Sequence, residues 1–203
     1  MGRLTGMGMD EEFERATLTR YFTRQFDDLL SKVDGLSEYD ARRPLTPTGT
    51  NLLGLVQHTG AVVLGYARLP WGKDLGRELM WEDTDEEPDI DLRVLPHVTR
   101  DEVLQLAAEG RAAMTELLAG PLDATGAVPW WQPNGDVTVH RVAVHVIAEV
   151  ARHAGHADIL RELVDGAAGM RPGDPNLSPL SAAAREERRN RIESDAKRHL
   201  RGS

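Results

Sequence analysis

Thr138-Val-His-Arg-Val-Ala-Val-His-Val-Ile-Ala-Glu-Val-Ala-Arg-His-Ala-Gly-His-Ala-Asp-Ile-Leu-Arg-Glu-Leu163 reads as one long helix with an unusual face. A helix turns about 100° per residue, so taking His145 as zero puts Glu149 near 40°, His153 near 80° and His156 near 20°. Three imidazoles and a carboxylate thus share one narrow strip, walled otherwise by Val142, Ile147, Val150, Ile159 and Leu163. Ionisable groups on a core-facing strip are costly to bury unless something satisfies them, and a divalent metal would do so. A lone histidine in such a place is more often a hydrogen-bonded core residue. Four ionisable groups on one strip point instead to a shared ligand. Glu149 and His153 form an i, i+4 pair, and bundle metal sites combine such pairs with a donor from a facing helix. His58, inside the apolar run 51–69, is the facing candidate. Spacing alone leaves open which three groups bind.

Working outward, the chain divides into long helix patterns joined by long connections. The first helix is expected over 10–34, with a stripe of Phe13, Leu18, Phe22, Phe26, Leu29, Leu30 and Val33. Asp10, Glu11 and Glu12 would sit at its positive end, and Gly35 suits its C-terminal stop. A short turn is expected at 38–42. Asn51 or Thr50 can cap a second helix running to Arg68, apolar on almost every side and therefore central in a bundle. Thr99-Arg-Asp-Glu102 is a capping box opening a third helix that ends at Gly120. The opening stretch is the fourth, running from Thr138 to a stop before Gly166.

Between these helices, 71–97 carries Trp81 and the acidic run Glu82, Asp83, Asp85, Glu86, Glu87, read as a solvated loop. A second loop carries Trp130-Trp131, which would either wall an apolar pocket or pad the end of the bundle. No strand alternation stands out. The expected fold is all-α, a four-helix bundle over 10–170, with a mobile stretch at 1–9. A Pro- and Gly-rich connection then leads into a charged extension, 171–203, read as a peripheral helix or partly disordered.

Composition narrows the function. The sequence has 203 residues, enough for one domain with a sizeable core, and its net charge of −9 argues against unspecific nucleic-acid binding. No apolar run approaches the roughly 20 residues needed to span a bilayer, and no secretory core precedes Glu12, so a cytoplasmic protein is expected. There are 0 cysteines, so any metal sits on His, Asp or Glu and any thiol chemistry uses a thiol from outside.

The stretches Asn51-Leu-Leu-Gly-Leu-Val-Gln-His58 and 137–162, with Asp165-Gly166 and Val128-Pro-Trp-Trp131, resemble the DinB superfamily of metal-binding four-helix bundles. They are most similar to its mycothiol-dependent branch of S-transferases and maleylpyruvate isomerases. The resemblance implies a metal, zinc first and nickel or another divalent ion otherwise, held by His58, Glu149 and His153. It implies mycothiol as co-substrate. His156 falls where many relatives carry a Gln and is assigned to the surroundings of the ligands, with His145 and Arg152 beside it. Where relatives carry a carboxylate five residues after the helix-borne histidine, this chain has Val63. A homodimer is a further expectation drawn from the same relatives.

Three protein ligands leave a coordination place open, the mark of a catalytic rather than a structural zinc. A coordinated thiol is deprotonated outright. The leading expectation is transfer of that thiolate to a small electrophile lying against Trp71, Trp81, Trp130 or Trp131. Arg141 or Arg152 is available to hold a charged part of the thiol. Isomerisation by thiol addition, metal-water hydrolysis and a non-catalytic metal-binding stress protein are the rival classes.

Overall fold

The computed structural model describes residues 4–81, 87, 89–171, 174, 176–177 and 180–201. Most of the acidic run, 82–86, lies outside the described residues, as do 1–3. The chain divides into two units, Met1–Arg171 and Pro172–Ser203.

The first unit is mostly helical. Its elements are α1 (Leu4–Leu30), α2 (Glu38–Arg42), α3 (Leu52–Arg68), α4 (Arg100–Ala119), β1 (Thr125–Ala127), β2 (Asp136–Thr138) and α5 (Val139–Asp165). Short 3-10 turns occur at Ser31–Val33, Leu69–Trp71, Ile90–Leu92 and Pro129–Trp131. α3 packs against both α4 and α5, and α1 packs against α5 and α4. The apolar run of α3 is buried along nearly its whole length, as its composition requires. Gly110 of α4 makes the α3–α4 approach possible: a Cβ there would stand 2.5 Å from the Gly60 carbonyl oxygen.

Two apolar assignments differ from the sequence reading, and for the same reason. Phe13 is 76% exposed and Ile159 60% exposed. Phe13 stands about 180° around its helix from Phe22, and Ile159 about 180° from Val150, so neither can join the stripe those residues define. Leu163 faces solvent as well. Because α1 begins at Leu4, the acids at 10–12 fall beyond its first turn rather than at its positive end.

The small sheet is a second correction. β1 and β2 pair antiparallel with Thr125 opposite Thr138, Gly126 opposite Val137 and Ala127 opposite Asp136. Three residues are too few to show an alternating pattern, so neither strand is visible in the sequence. The pair closes the base of the loop bearing the two tryptophans and runs straight into α5.

The capping box of α4 is formed: Thr99 accepts from the Glu102 amide, while the Glu102 carboxylate accepts from the Thr99 amide at 2.7 Å. Thr99→Ala should cost about 1 kcal/mol of stability in a urea titration, with the same slope against denaturant.

In the second unit, α6 (Ala182–Lys197) is capped by Ser181, which accepts from the Ala184 amide. None of its residues is buried, and charge pairs such as Lys197–Glu193 run along it. Among the described residues no helix is long and apolar enough to cross a membrane.

Candidate functional site

α5 buries one face, centred on Val142, Val146, Val150, Ala154 and Ala157. The ionisable strip runs along the flank of that face. His153 lies closest to it in angle, and His145 and His156 at the far edge. Their exposure follows: the His153 side chain is 13% exposed, whereas His156 and Arg152 face solvent. Across from the strip, α3 presents His58.

The rings of His58 and His153 meet edge to face with centroids 4.7 Å apart. The Glu149 carboxylate stands 3.7 Å from His153 Nε2, beyond hydrogen-bond range. His153 Nδ1 is buried and finds no hydrogen-bond partner among the described residues. The His156 ring packs 5.4 Å from that of His153. Burial, with the cationic influence of His58 and His156, pushes His153 down to about 4, against the opposing pull of Glu149. Burial also holds His145 below the usual histidine value. Both rings are therefore neutral at pH 7, with a lone pair free on one nitrogen. Among the described residues no three His, Cys, Asp or Glu side chains stand arranged to hold a metal ion.

The depressed histidine sets a pH dependence. His153 takes up its proton near 6.5 when unfolded and only near 4 when folded, so the unfolded chain binds the proton first as pH falls. Its contribution to stability is complete above about 6.5 and is lost as pH drops towards 4. Urea midpoints of metal-free protein should fall across that interval, and the fall should be shallower in His153→Ala.

A cavity of about 410 Å³ opens beside these groups, lined by the polar side chains of His58, Asp91, His145 and Glu149 and by the rings of Tyr66, Trp81 and Trp130. Ala61, Val62, Gly65 and Leu79 complete it. Tyr66 is the hub of an aromatic cluster, with ring centroids 5.0 Å from Trp130, 5.6 Å from Trp131 and 4.7 Å from His145. Its hydroxyl accepts from Trp130 Nε1 at 3.1 Å. Trp131 packs edge-on to His145, and the Arg141 guanidinium lies 5.2 Å from the Trp131 ring centre. Trp71 lies elsewhere: it packs over Gly126, where a Cβ would come within 2.5 Å of its ring. It is absent from the cavity lining. A larger groove of about 660 Å³ runs along α1, but no imidazole lines it, and two of its carboxylates, Asp27 and Asp28, are paired with Arg111 and Arg171.

Two polar residues of the cavity, Tyr66 and Asp91, escape the sequence reading. Tyr66 stands eight positions after His58, about 80° around the same helix, so helical arithmetic could have found it. Asp91 had no such signal. Its carboxylate oxygen lies 2.5 Å from His58 Nδ1, but it reaches that place from a loop whose path no periodicity encodes. The loop is fastened to α3. Gln57 Nε2 donates to the carbonyls of Asp91 at 2.8 Å and Arg93 at 3.2 Å, and Asn51 Nδ2 to that of Leu92 at 3.2 Å. Val63, where relatives were expected to carry a carboxylate, is buried in the core, and the carboxylate beside His58 comes from Asp91 instead.

Imidazoles and carboxylates thus gather beside a small cavity walled by aromatic rings, between helices of a mostly helical protein. The comparison with known families is more particular. Residues 17–166 match the family model described as mycothiol-S-transferase, and the chain belongs to that family. No curated protein matches it significantly.

Proposed function

We propose that this protein transfers a low-molecular-weight thiol, mycothiol, to a small electrophile, using a divalent metal held by His58, Glu149 and His153. α1, α3, α4 and α5 are read as the four-helix bundle that carries the site. The observation that carries the reading is the meeting of donors from two helices at one cavity: His58 and Glu149 line it, and the His153 ring lies against that of His58. The placement of His153 Nε2 3.7 Å from the Glu149 carboxylate supports it, since the two stand near enough to share one ion after a small side-chain turn. The donor set of two imidazoles and a carboxylate suits zinc. Bringing the donors to a common point requires the Glu149 side chain and the rings to turn.

A divalent ion at this place supplies one thing, a lowered thiol pKa, so that the sulfur is a thiolate at neutral pH. The chain's own residues do the rest. Burial keeps His153 neutral, so that its lone pair does not have to compete with a proton at pH 7. Tyr66, Trp81 and Trp130 offer ring faces to the apolar part of an electrophile. A cavity of about 410 Å³ matches small-molecule sites in size. With 0 cysteines, the chain offers no competing thiol to the electrophile.

The test is adduct formation between mycothiol and a bromobimane, followed by fluorescence, with zinc-loaded and chelator-treated protein. A rate above that of free thiol, lost on chelation and restored by zinc, is the expected result. A rate equal to background with zinc fully bound would overturn transfer in favour of a binding protein. Turnover of esters or amides without thiol would overturn it in favour of hydrolysis.

A further inference from the structure

The cavity holds a carboxylate that the proposed donor set does not use. We infer that Asp91 is the positioning residue of His58: it accepts the Nδ1 proton, fixes the tautomer and plane of the ring, and leaves the Nε2 lone pair for a ligand in the cavity. The contact is 2.5 Å between His58 Nδ1 and Asp91 Oδ2. An ionised carboxylate has no proton to give, so the hydrogen between them belongs to the imidazole. A neutral imidazole with hydrogen on Nδ1 carries its free pair on Nε2.

The placement of Asp91 is built rather than incidental. Asn51 and Gln57 are almost wholly buried, at 7% and 1% exposure, and both use their amide groups to hold the backbone of 91–93. Gly54 lies between them on α3. A Cβ there would stand 1.9 Å from the Leu92 carbonyl oxygen, so only glycine lets the loop lie this close. The first turns of α3 thus hold the loop that delivers the carboxylate, and the same helix carries the ring that receives it. An exposed acidic residue pairing by chance would need none of this. Outer partners of this kind set the orientation of ligating histidines, and their loss typically weakens metal binding about 10–100-fold.

The inference rests on the proposed ligand role of His58 only for its affinity arm, so the experiment has two independent readouts. Long-range proton–nitrogen correlation spectra of metal-free, histidine-labelled protein report the His58 tautomer directly. Chelator competition reports zinc affinity. The wild type is expected to carry hydrogen on Nδ1 of His58. Asp91→Ala should lose that preference and bind zinc about 10–100-fold more weakly, with its circular dichroism unchanged. Asp91→Asn, whose side-chain carbonyl still accepts, should restore the tautomer and most of the affinity. A wild-type ring protonated on Nε2, or an Asp91→Ala protein with unchanged tautomer and affinity, would overturn the inference. Should the wild type take up no zinc, the ligand role of His58 fails, while the tautomer readout still decides what Asp91 does.

Discussion

His153→Ala should abolish stoichiometric zinc while leaving the helices in place. His153 is the innermost ionisable group of α5, and its ring touches that of His58. Removing it takes one donor from the proposed set of three and leaves a lone imidazole facing a carboxylate, a combination that holds zinc poorly. The expected loss in affinity exceeds the roughly 10–100-fold typical of an outer partner. The fold should survive. The imidazole makes no described hydrogen bond through Nδ1, so its removal strands no partner there, and its burial as a neutral ring is itself a cost at low pH. Metal analysis after gel filtration checks the first half, and thermal melting of the metal-free protein the second. A mutant that kept zinc at one ion per chain would exclude His153 as a ligand.

Gly54→Ala should be the most damaging single methyl group in the first unit. The new Cβ would stand 1.9 Å from the Leu92 carbonyl oxygen and 2.9 Å from Asn51 Nδ2. The first is backbone, so the loop must move away from α3 rather than a side chain swinging aside. Moving it strains or breaks the bonds from Asn51 and Gln57 that hold 91–93. Overpacking in a closed interior costs typically about 1–3 kcal/mol, and here lost hydrogen bonds of about 1 kcal/mol each add to it. A loss of about 3 kcal/mol in urea unfolding is expected. Because the same movement withdraws Asp91 from His58, zinc affinity should fall with stability, which no cap or surface substitution would produce. A stable Gly54→Ala protein with full affinity would mean that the loop is not held as described.

How far these features could be read from the sequence depended on the range of the interactions involved. Each long helix was legible because its stripe and its caps are local: Asn51, Thr99 and Thr138 all cap the helices they precede, and Gly35 and Gly166 adopt left-handed backbone at the stops. The shared strip of His145, Glu149 and His153 on α5 was legible for the same reason, since a helix fixes the angle between them whatever the tertiary fold. Periodicity gave angles but not the centre of the buried face. The strip therefore turned out to flank the core rather than point into it, and Ile159 and Leu163 were assigned to a wall they do not form. The loops were not legible. Trp71 and Trp81 belong to the same long connection, yet one packs on Gly126 and the other lines the cavity, a difference set by contacts far apart in the chain. Asp91 is the extreme case: no motif or periodicity marks it, and only the fold brings it to His58.

X-ray absorption of the zinc-loaded protein, before and after addition of mycothiol, tests the central proposal most directly. Nitrogen and oxygen donors alone are expected around the zinc of the resting protein, with a sulfur scatterer appearing at one atom per zinc once the thiol is added. Since the chain has 0 cysteines, that sulfur can come only from the thiol or a methionine, and thiol dependence separates the two. A shell that stays free of sulfur at saturating thiol would contradict the account.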